Sequence, residues 1–532
     1  MSNTLDLLIM RPIRLPLLLG AVLVLLGGRP ALKFALNLGG TLALLVLALT
    51  LYWLTDHEIW PGGVGVYLAG NWVAPFGITM VVDRLTALML LLAALIATAA
   101  LLYSLRRWSR AGVHFHSLFQ FLLAGINGSF LTGDLFNLFV FFEIMLAASY
   151  GLLLLGLQPG RVRASMQYVV INLVASSFFL IGVALIYAAC GTLNMADLAV
   201  RAAALDDSQR LLLETGTAVL AIAFLTKSAM WPLGFWLPTT YAAAAPPVAA
   251  MLVLMTKVGI YVIVRLWLLV FAEQQDSWLA LSGNSLMIGG LLTLAFGTFG
   301  LLGSQEPGRM AGFCAIISSG TLLAVIGYGG TAVVGAALFY LLSSTLAVAA
   351  FMLLLDLIGR VRNPSVEMLA ITMEAFDIDD APDDSAGVAI PAATAFLGLS
   401  FMACVLIITG LPPLSGFVAK FGLFHALLNT DTVSALTLGL IALVVVSGLA
   451  AIISLMRFGV RVFWSNPDMQ PPLLHPSEAL PASGLLLACI ALSIAAGPVS
   501  NYMGRTATAL HEPQLYIERV LSTQPVTEEN AP

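Results

Sequence analysis

The chain has 532 residues, of which 60% are hydrophobic and 10% charged, whereas an ordinary soluble domain carries about 25% charged residues. This balance excludes a soluble globular enzyme, a disordered chain, a nucleic-acid binder and a disulfide-rich secreted module. A net charge of −5 is small for this length and points to no partner.

Apolar runs of about 20 residues, long enough to cross a bilayer as helices, recur along the whole chain. They lie near residues 12–28, 32–54, 80–104, 113–132, 135–157, 164–190, 211–233, 243–270, 281–303, 310–328, 331–359, 391–428, 434–464 and 482–500. Backbone in hydrocarbon must satisfy its own hydrogen bonds, and continuous apolar runs do not alternate as barrel strands do. The expectation is an all-α polytopic membrane protein of about 14 transmembrane helices. No small-residue cleavage motif follows the first run, so it reads as a retained helix. Cys190, Cys314, Cys404 and Cys489 are far apart, without CxxC spacing, and read as buried free thiols.

Fourteen spans place Arg29, Lys33, Arg106, Arg107, Arg110, Arg161, Arg163, Arg309, Arg360, Arg362, Arg457 and Arg461 on one side. The other side holds Arg11, Arg14, Arg84, Arg201, Arg210, Arg505 and Arg519, with Arg265 near that end of its helix. The richer side is expected to be cytoplasmic, which puts both termini outside. Residues 363–388 contain Glu367, Glu374, Asp377, Asp379, Asp380, Asp383 and Asp384 and no basic residue, and read as a solvated flexible loop. The tail from Arg505 onward is polar and is expected to be peripheral.

Charge scarcity is the informative feature. The 23 basic residues divide into 19 Arg and four Lys, and Lys227, Lys257 and Lys420 fall well inside apolar runs while Lys33 stands at the edge of one. Glu143 is the one carboxylate in mid-span, in LFVFFEIMLAASY. A charge at the bilayer centre costs about 2.5–3.5 kcal/mol, so such residues face the interior and mark ion or proton pathways. Lysine suits a proton relay because burial disfavours the charged ammonium, whereas arginine stays charged. Lys227, in AIAFLTKSAMWP, is the natural candidate for an ion pair with Glu143. Lys257, in LVLMTKVGIY, has no carboxylate within four residues.

Two runs are interrupted by proline, which removes a backbone donor and breaks a helix. KSAMWPLGFWLP joins Lys227 to Pro232 and Pro238, and GLPPLSGFVAK joins Pro412, Pro413 and Gly416 to Lys420. Lysine precedes proline in the first break and follows it in the second, a reversal that suits an inverted repeat. His425 follows Lys420 by five residues and is a candidate proton exit. His114 and His116 lie at the mouth of a span, where interfacial placement explains them equally well. Asp83, Asp134, Glu214 and Asp356 lie near helix ends, where capping or interface roles are expected. No P-loop, nucleophile elbow, HExxH or dinucleotide motif is present.

These segments resemble the antiporter-like family shared by Mrp-type (Pha) cation/proton antiporters and the proton-pumping membrane subunits of respiratory complex I. The resemblance covers roughly residues 70–465. It is carried by FNLFVFFEIMLAASYGLLLL, NLVASSFFLIGVALIYAACGTLNMADL, FLTKSAMWPLGFWLP, YAAAAPPVAAMLVLMTKVGIYVIVR and GLPPLSGFVAKF. GTLNMADL, the lysine after GLPPLSGF and the insert MEAFDIDDAPDD before AIPA are most similar to the D-type branch of the Mrp antiporters. The resemblance implies 14 helices with two inverted five-helix repeats. Three helices would occupy 1–112, the repeats 113–270 and 281–464, and the last helix and tail 465–532. It also implies proton-relay roles for Glu143, Lys227, Lys257 and Lys420. A bacterial inner-membrane location follows, in a hetero-oligomer with the A, C and small subunits.

The expected function is that of a proton-translocating subunit of a multisubunit Na+ or K+/H+ antiporter. Ion gradients power such transport, so it is not an enzyme and no cofactor or metal is expected. The runner-up is a redox-driven pump subunit of complex I or of a membrane-bound hydrogenase, which shares the proton machinery. An organic-substrate permease would need polar and aromatic groups around a midplane pocket, and a membrane enzyme would need a catalytic motif.

Overall fold

A helix that is apolar on every face needs protein cover all round, whereas one with a single packed face can border lipid. The sequence supplies both kinds, and the fold sorts them into a core and a rim. The computed structural model describes residues 2–27, 29–105, 112, 114–155, 159–270, 283–359, 392–430, 433–463 and 474–525. Among these residues are 19 α-helices and one short β-hairpin. Thirteen helices are long and apolar enough to cross a membrane.

The first three long helices are α1 (Ser2–Leu25), α2 (Pro30–Asp56) and α3 (Arg84–Ser104). Strands β1 (Gly65–Leu68) and β2 (Thr79–Val82) pair antiparallel between α2 and α3. Then come α4 (Phe115–Leu131), α5 (Leu135–Leu153), α6 (Pro159–Cys190), the short α7 (Met195–Ala202) and α8 (Asp207–Lys227). A turn leads to α9 (Leu237–Ala243), followed by α10 (Pro246–Val270), α11 (Gly283–Gly303), α12 (Pro307–Tyr328) and α13 (Thr331–Gly359). Helices α14 (Ala392–Thr409) and α15 (Ser415–Leu428) are the halves of one broken span. The chain closes with α16 (Ala435–Phe463), α17 (Pro476–Ile494), α18 (Ala496–His511) and α19 (Gln514–Ser522).

Helices α10, α12 and α13 are covered on nearly every side, whereas α1, α2, α6, α14, α16 and α17 bury only a third or so of their surface. The three covered helices touch one another and form the axis that carries the site. Helix ends are set by ordinary capping. Asp83 accepts from the Thr86 amide (2.9 Å) at the start of α3, Asp134 from Asn137 (2.8 Å) at α5, and Asp206 from Gln209 (2.8 Å) at α8. Glu214 pairs instead with Arg210 (3.6 Å), and Asp356 accepts from the Tyr103 hydroxyl (2.6 Å). The four cysteines are buried and free.

The fourth run, 113–132, folds as the 17-residue helix α4, within the length that crosses a bilayer. One expectation needs correction. The tail is not peripheral: Thr506, Ala507 and Leu510 are buried in it, and just before it Tyr502 donates to the Arg84 carbonyl (2.8 Å) and stacks on Tyr52 at 4.5 Å between ring centroids. Tyr516 is buried under the Arg265 guanidinium, 5.2 Å from its ring centre. Buried side chains on one face of α18 (Tyr502, Met503, Leu510) and of α19 (Tyr516, Ile517, Val520) make these helices amphipathic, so their apolar faces need a surface to cover. The acidic stretch 363–388 lies outside the described residues.

Candidate functional site

Lys227 is the last residue of α8 and is 1% exposed. Its ammonium donates to the Tyr168 hydroxyl (3.0 Å) and to Asn172 Oδ1 (3.3 Å) on α6. The rings of Tyr168, Phe142 and Trp236 lie 5.1, 5.7 and 6.0 Å from it, within cation–π range. Glu143 does not form the expected ion pair. The two groups do not come within ion-pair distance. The Glu143 carboxylate accepts from Ser176 on α6.

Helix α6 carries a partner of each charge. Tyr168, Asn172 and Ser176 recur at every fourth residue, so one stripe touches Lys227 at one end and Glu143 at the other.

Lys257 lies in mid-α10 and is also 1% exposed. It donates to Ser318 Oγ on α12 (2.8 Å), and Ser318 donates to Ser344 Oγ on α13 (2.9 Å). The neighbouring Ser343 shares a 2.8 Å hydrogen bond with Ser415, the first residue of α15. Hydroxyls thus lead from Lys257 to Ser344 of α13, and the adjacent Ser343 meets the second break, without a hydrogen bond between the two serines among the described residues.

Lys420, in the second turn of α15, reaches back to the end of α14. It donates to the carbonyls of Thr409 (2.8 Å) and Ile408 (3.4 Å). The last carbonyls of a helix have no partner within it and carry partial negative charge, so a cation is stabilised there. Gly410 turns the chain at φ 82°, and Gly416 lets α15 cross α14 at contact. A Cβ at Gly416 would stand 1.8 Å from the Ile407 carbonyl oxygen.

Pro412 and Pro413 lie between the two half-helices, and their mutual peptide bond is cis. Pro232, also preceded by a cis bond, lies in the turn after α8, and Pro238 opens α9. The Trp231 amide in that turn donates to Thr293 on α11 (2.8 Å), which ties the first break to the second half of the chain.

None of the three lysines stands within ion-pair distance of a carboxylate among the described residues. The polar chain has gaps: no direct hydrogen bond joins Lys227 to Lys257, or Ser344 to Lys420, among those residues. Waters or side-chain rotation must bridge them for a proton to pass.

His425 does not join this row. It is exposed, stacks on Phe421 and meets Asn429 at 3.0 Å. His116, near the start of α4, is 3% exposed and lies 2.8 Å from Asn37 of α2, within a polar cluster that includes Gln120. His114 precedes the first turn of α4.

Tyr168, Asn172, Ser318, Ser343, Ser344 and Ser415 are functional candidates that the sequence alone does not single out. The four-residue spacing of Tyr168, Asn172 and Ser176 within an apolar run is the available signal for the first two.

Residues 132–446 match the family described as NADH:quinone oxidoreductase/Mrp antiporter, TM. A Rhizobium meliloti protein, named as the D subunit of a probable K(+)/H(+) antiporter, is 51% identical, over 98% of this chain and 99% of its own. An Alkalihalophilus pseudofirmus protein, named as the D subunit of a Na(+)/H(+) antiporter, is 32% identical over 97% of this chain and 99% of its own. A chain in the structure of the Mrp complex from Dietzia sp. DQ12-45-1b superposes with a TM-score of 0.83 at 26% identity, covering 97% of this chain and 100% of its own.

Proposed function

Because this chain belongs to the NADH:quinone oxidoreductase/Mrp antiporter membrane family, we propose that it is the D-type, proton-translocating subunit of a multisubunit cation/proton antiporter. The relatives' names support antiport of K+ or Na+ against H+, in a complex with other Mrp-type subunits. A bacterial inner membrane fits those relatives, and the arginine asymmetry of the loops favours termini on the outer face. The reaction is secondary transport rather than enzymatic catalysis.

The observation that carries the reading is that Lys227, Lys257 and Lys420 are buried against neutral donors and acceptors. A purely structural buried lysine is expected beside a carboxylate, since an unpaired buried charge is destabilising. A lysine held by hydroxyls, an amide and carbonyls can instead lose and regain its proton without breaking an ion pair. Protons would pass laterally along Lys227, Lys257 and Lys420, with Glu143 acting on Lys227 through the α6 stripe. The two breaks support the reading of residues 113–270 and 281–464 as inverted repeats.

The test is cation-dependent dissipation of ΔpH in everted vesicles carrying the complete complex, with Na+ and K+ supplied separately. Lys257→Ala is expected to abolish the signal while the complex still assembles. Wild-type antiport by that variant would remove Lys257 from the path.

A further inference from the structure

A cavity of about 50 Å³ opens where the C-terminal half of α16 passes the α11–α12 turn. Ser304 and Gln305 of the turn line it, with Ser454, Arg457 and Arg461 of α16, over an apolar floor that includes Phe458. Positions 454, 457 and 461 fall on one helical face. Arg457 is exposed and makes no hydrogen bond or ion pair among the described residues. Arg461 lies one turn further on, in the last turn of the helix.

The cavity is more than a patch of surface charge because of Ser454. Serines in apolar helices ordinarily bond the carbonyl three or four residues back, as Ser447 does in the same helix, donating to Val444 at 2.7 Å. Ser454 is 5% exposed, and its hydroxyl has no partner among the described residues. A buried hydroxyl left unpaired carries a desolvation cost that a ligand accepting its proton removes. The turn's carboxylate, Glu306, is exposed and does not line the cavity.

We propose that this cavity binds a phosphate oxyanion, gripped by Arg457 and Arg461 and accepting a hydrogen bond from Ser454. Guanidinium groups match phosphate oxygens in geometry as well as charge, and both line this cavity beside the Ser454 hydroxyl. Both arginines stand in the final two turns of a membrane-crossing helix, the depth of lipid headgroups. The phosphodiester of an anionic lipid and free inorganic phosphate share this chemistry.

The experiment titrates the purified full complex with phosphatidylglycerol and with phosphatidylcholine, reading bound lipid by native mass spectrometry. A parallel arm reads the thermal shift given by inorganic phosphate. Phosphatidylglycerol is expected to be retained, and the Arg457→Gln/Arg461→Gln pair is expected to weaken it by about tenfold or more, as for loss of a charged hydrogen bond. Ser454→Ala, which removes one atom and leaves the fold intact, is expected to weaken it severalfold. Arg309→Gln, on the same face but outside the cavity, is expected to change nothing. A phosphate shift abolished by the double variant, with no preference between lipids, identifies the free anion as the ligand. Binding of both probes to the double variant as to wild type overturns the proposal, and so does an unaffected Ser454→Ala.

Discussion

At Lys227 the partners are a phenol and an amide, and the Glu143 carboxylate, bonded to Ser176 on the same stripe of α6, is not an ion-pair partner. Separation by neutral groups weakens the pull of Glu143 without removing it, since a charge still acts over several ångströms in a medium of low dielectric. Lys257 is held by a single hydroxyl, and that contact is directly testable. Ser318→Ala is expected to slow antiport roughly tenfold, the scale of one hydrogen bond to a charged group. Ser318→Thr, which keeps the hydroxyl, is expected to retain most of the rate. Initial rates of ΔpH dissipation distinguish the two. The lysines are legible in the sequence because a charge in an apolar run has no local explanation. Ser318, Ser343, Ser344 and Ser415 are not, because serine is ordinary in apolar helices and usually satisfies itself on its own backbone.

At the scale of elements, the breaks after α8 and α14 are legible because proline cannot hide its missing donor. Which carbonyls the second break frees, and that Lys420 takes them, depends on the crossing of α14 and α15 and so needs the fold. The same holds for the join between α3 and α10. Asp83 caps α3, as its position suggests, and also takes two hydrogen bonds from Arg265 of α10, at 2.6 and 2.8 Å. Burial alone would raise the Asp83 carboxyl, but the Arg265 guanidinium outweighs it and holds the group below its ordinary 3.8. A carboxyl depressed in the folded state contributes stability above its unfolded value, and loses it as pH falls through the folded one. Asp83→Asn is therefore expected to lower stability near neutrality by about 3–5 kcal/mol, the cost of stranding one partner of a buried pair. Thermal unfolding in detergent should show the wild type losing this advantage only as the pH drops below about 4.

For the whole molecule, counting apolar runs locates the spans, because a bilayer imposes one length on every crossing helix. It misses the fate of the tail, since polarity along α18 and α19 does not reveal that Tyr502 meets the Arg84 carbonyl and Tyr516 the Arg265 guanidinium. Deleting residues 496–532 is expected to lower the unfolding temperature of the complex. The covered state of α10 also bears on how the chain is made. Arg265 finds Asp83 at once, because α3 is synthesised first, but Ser318 follows Lys257 by 61 residues. At about 5–20 residues per second, the ribosome needs roughly 3–12 seconds to deliver that partner. During this interval the nascent α10 carries a lysine that lipid penalises, so it must wait beside α3 or within the insertion machinery until α12 arrives.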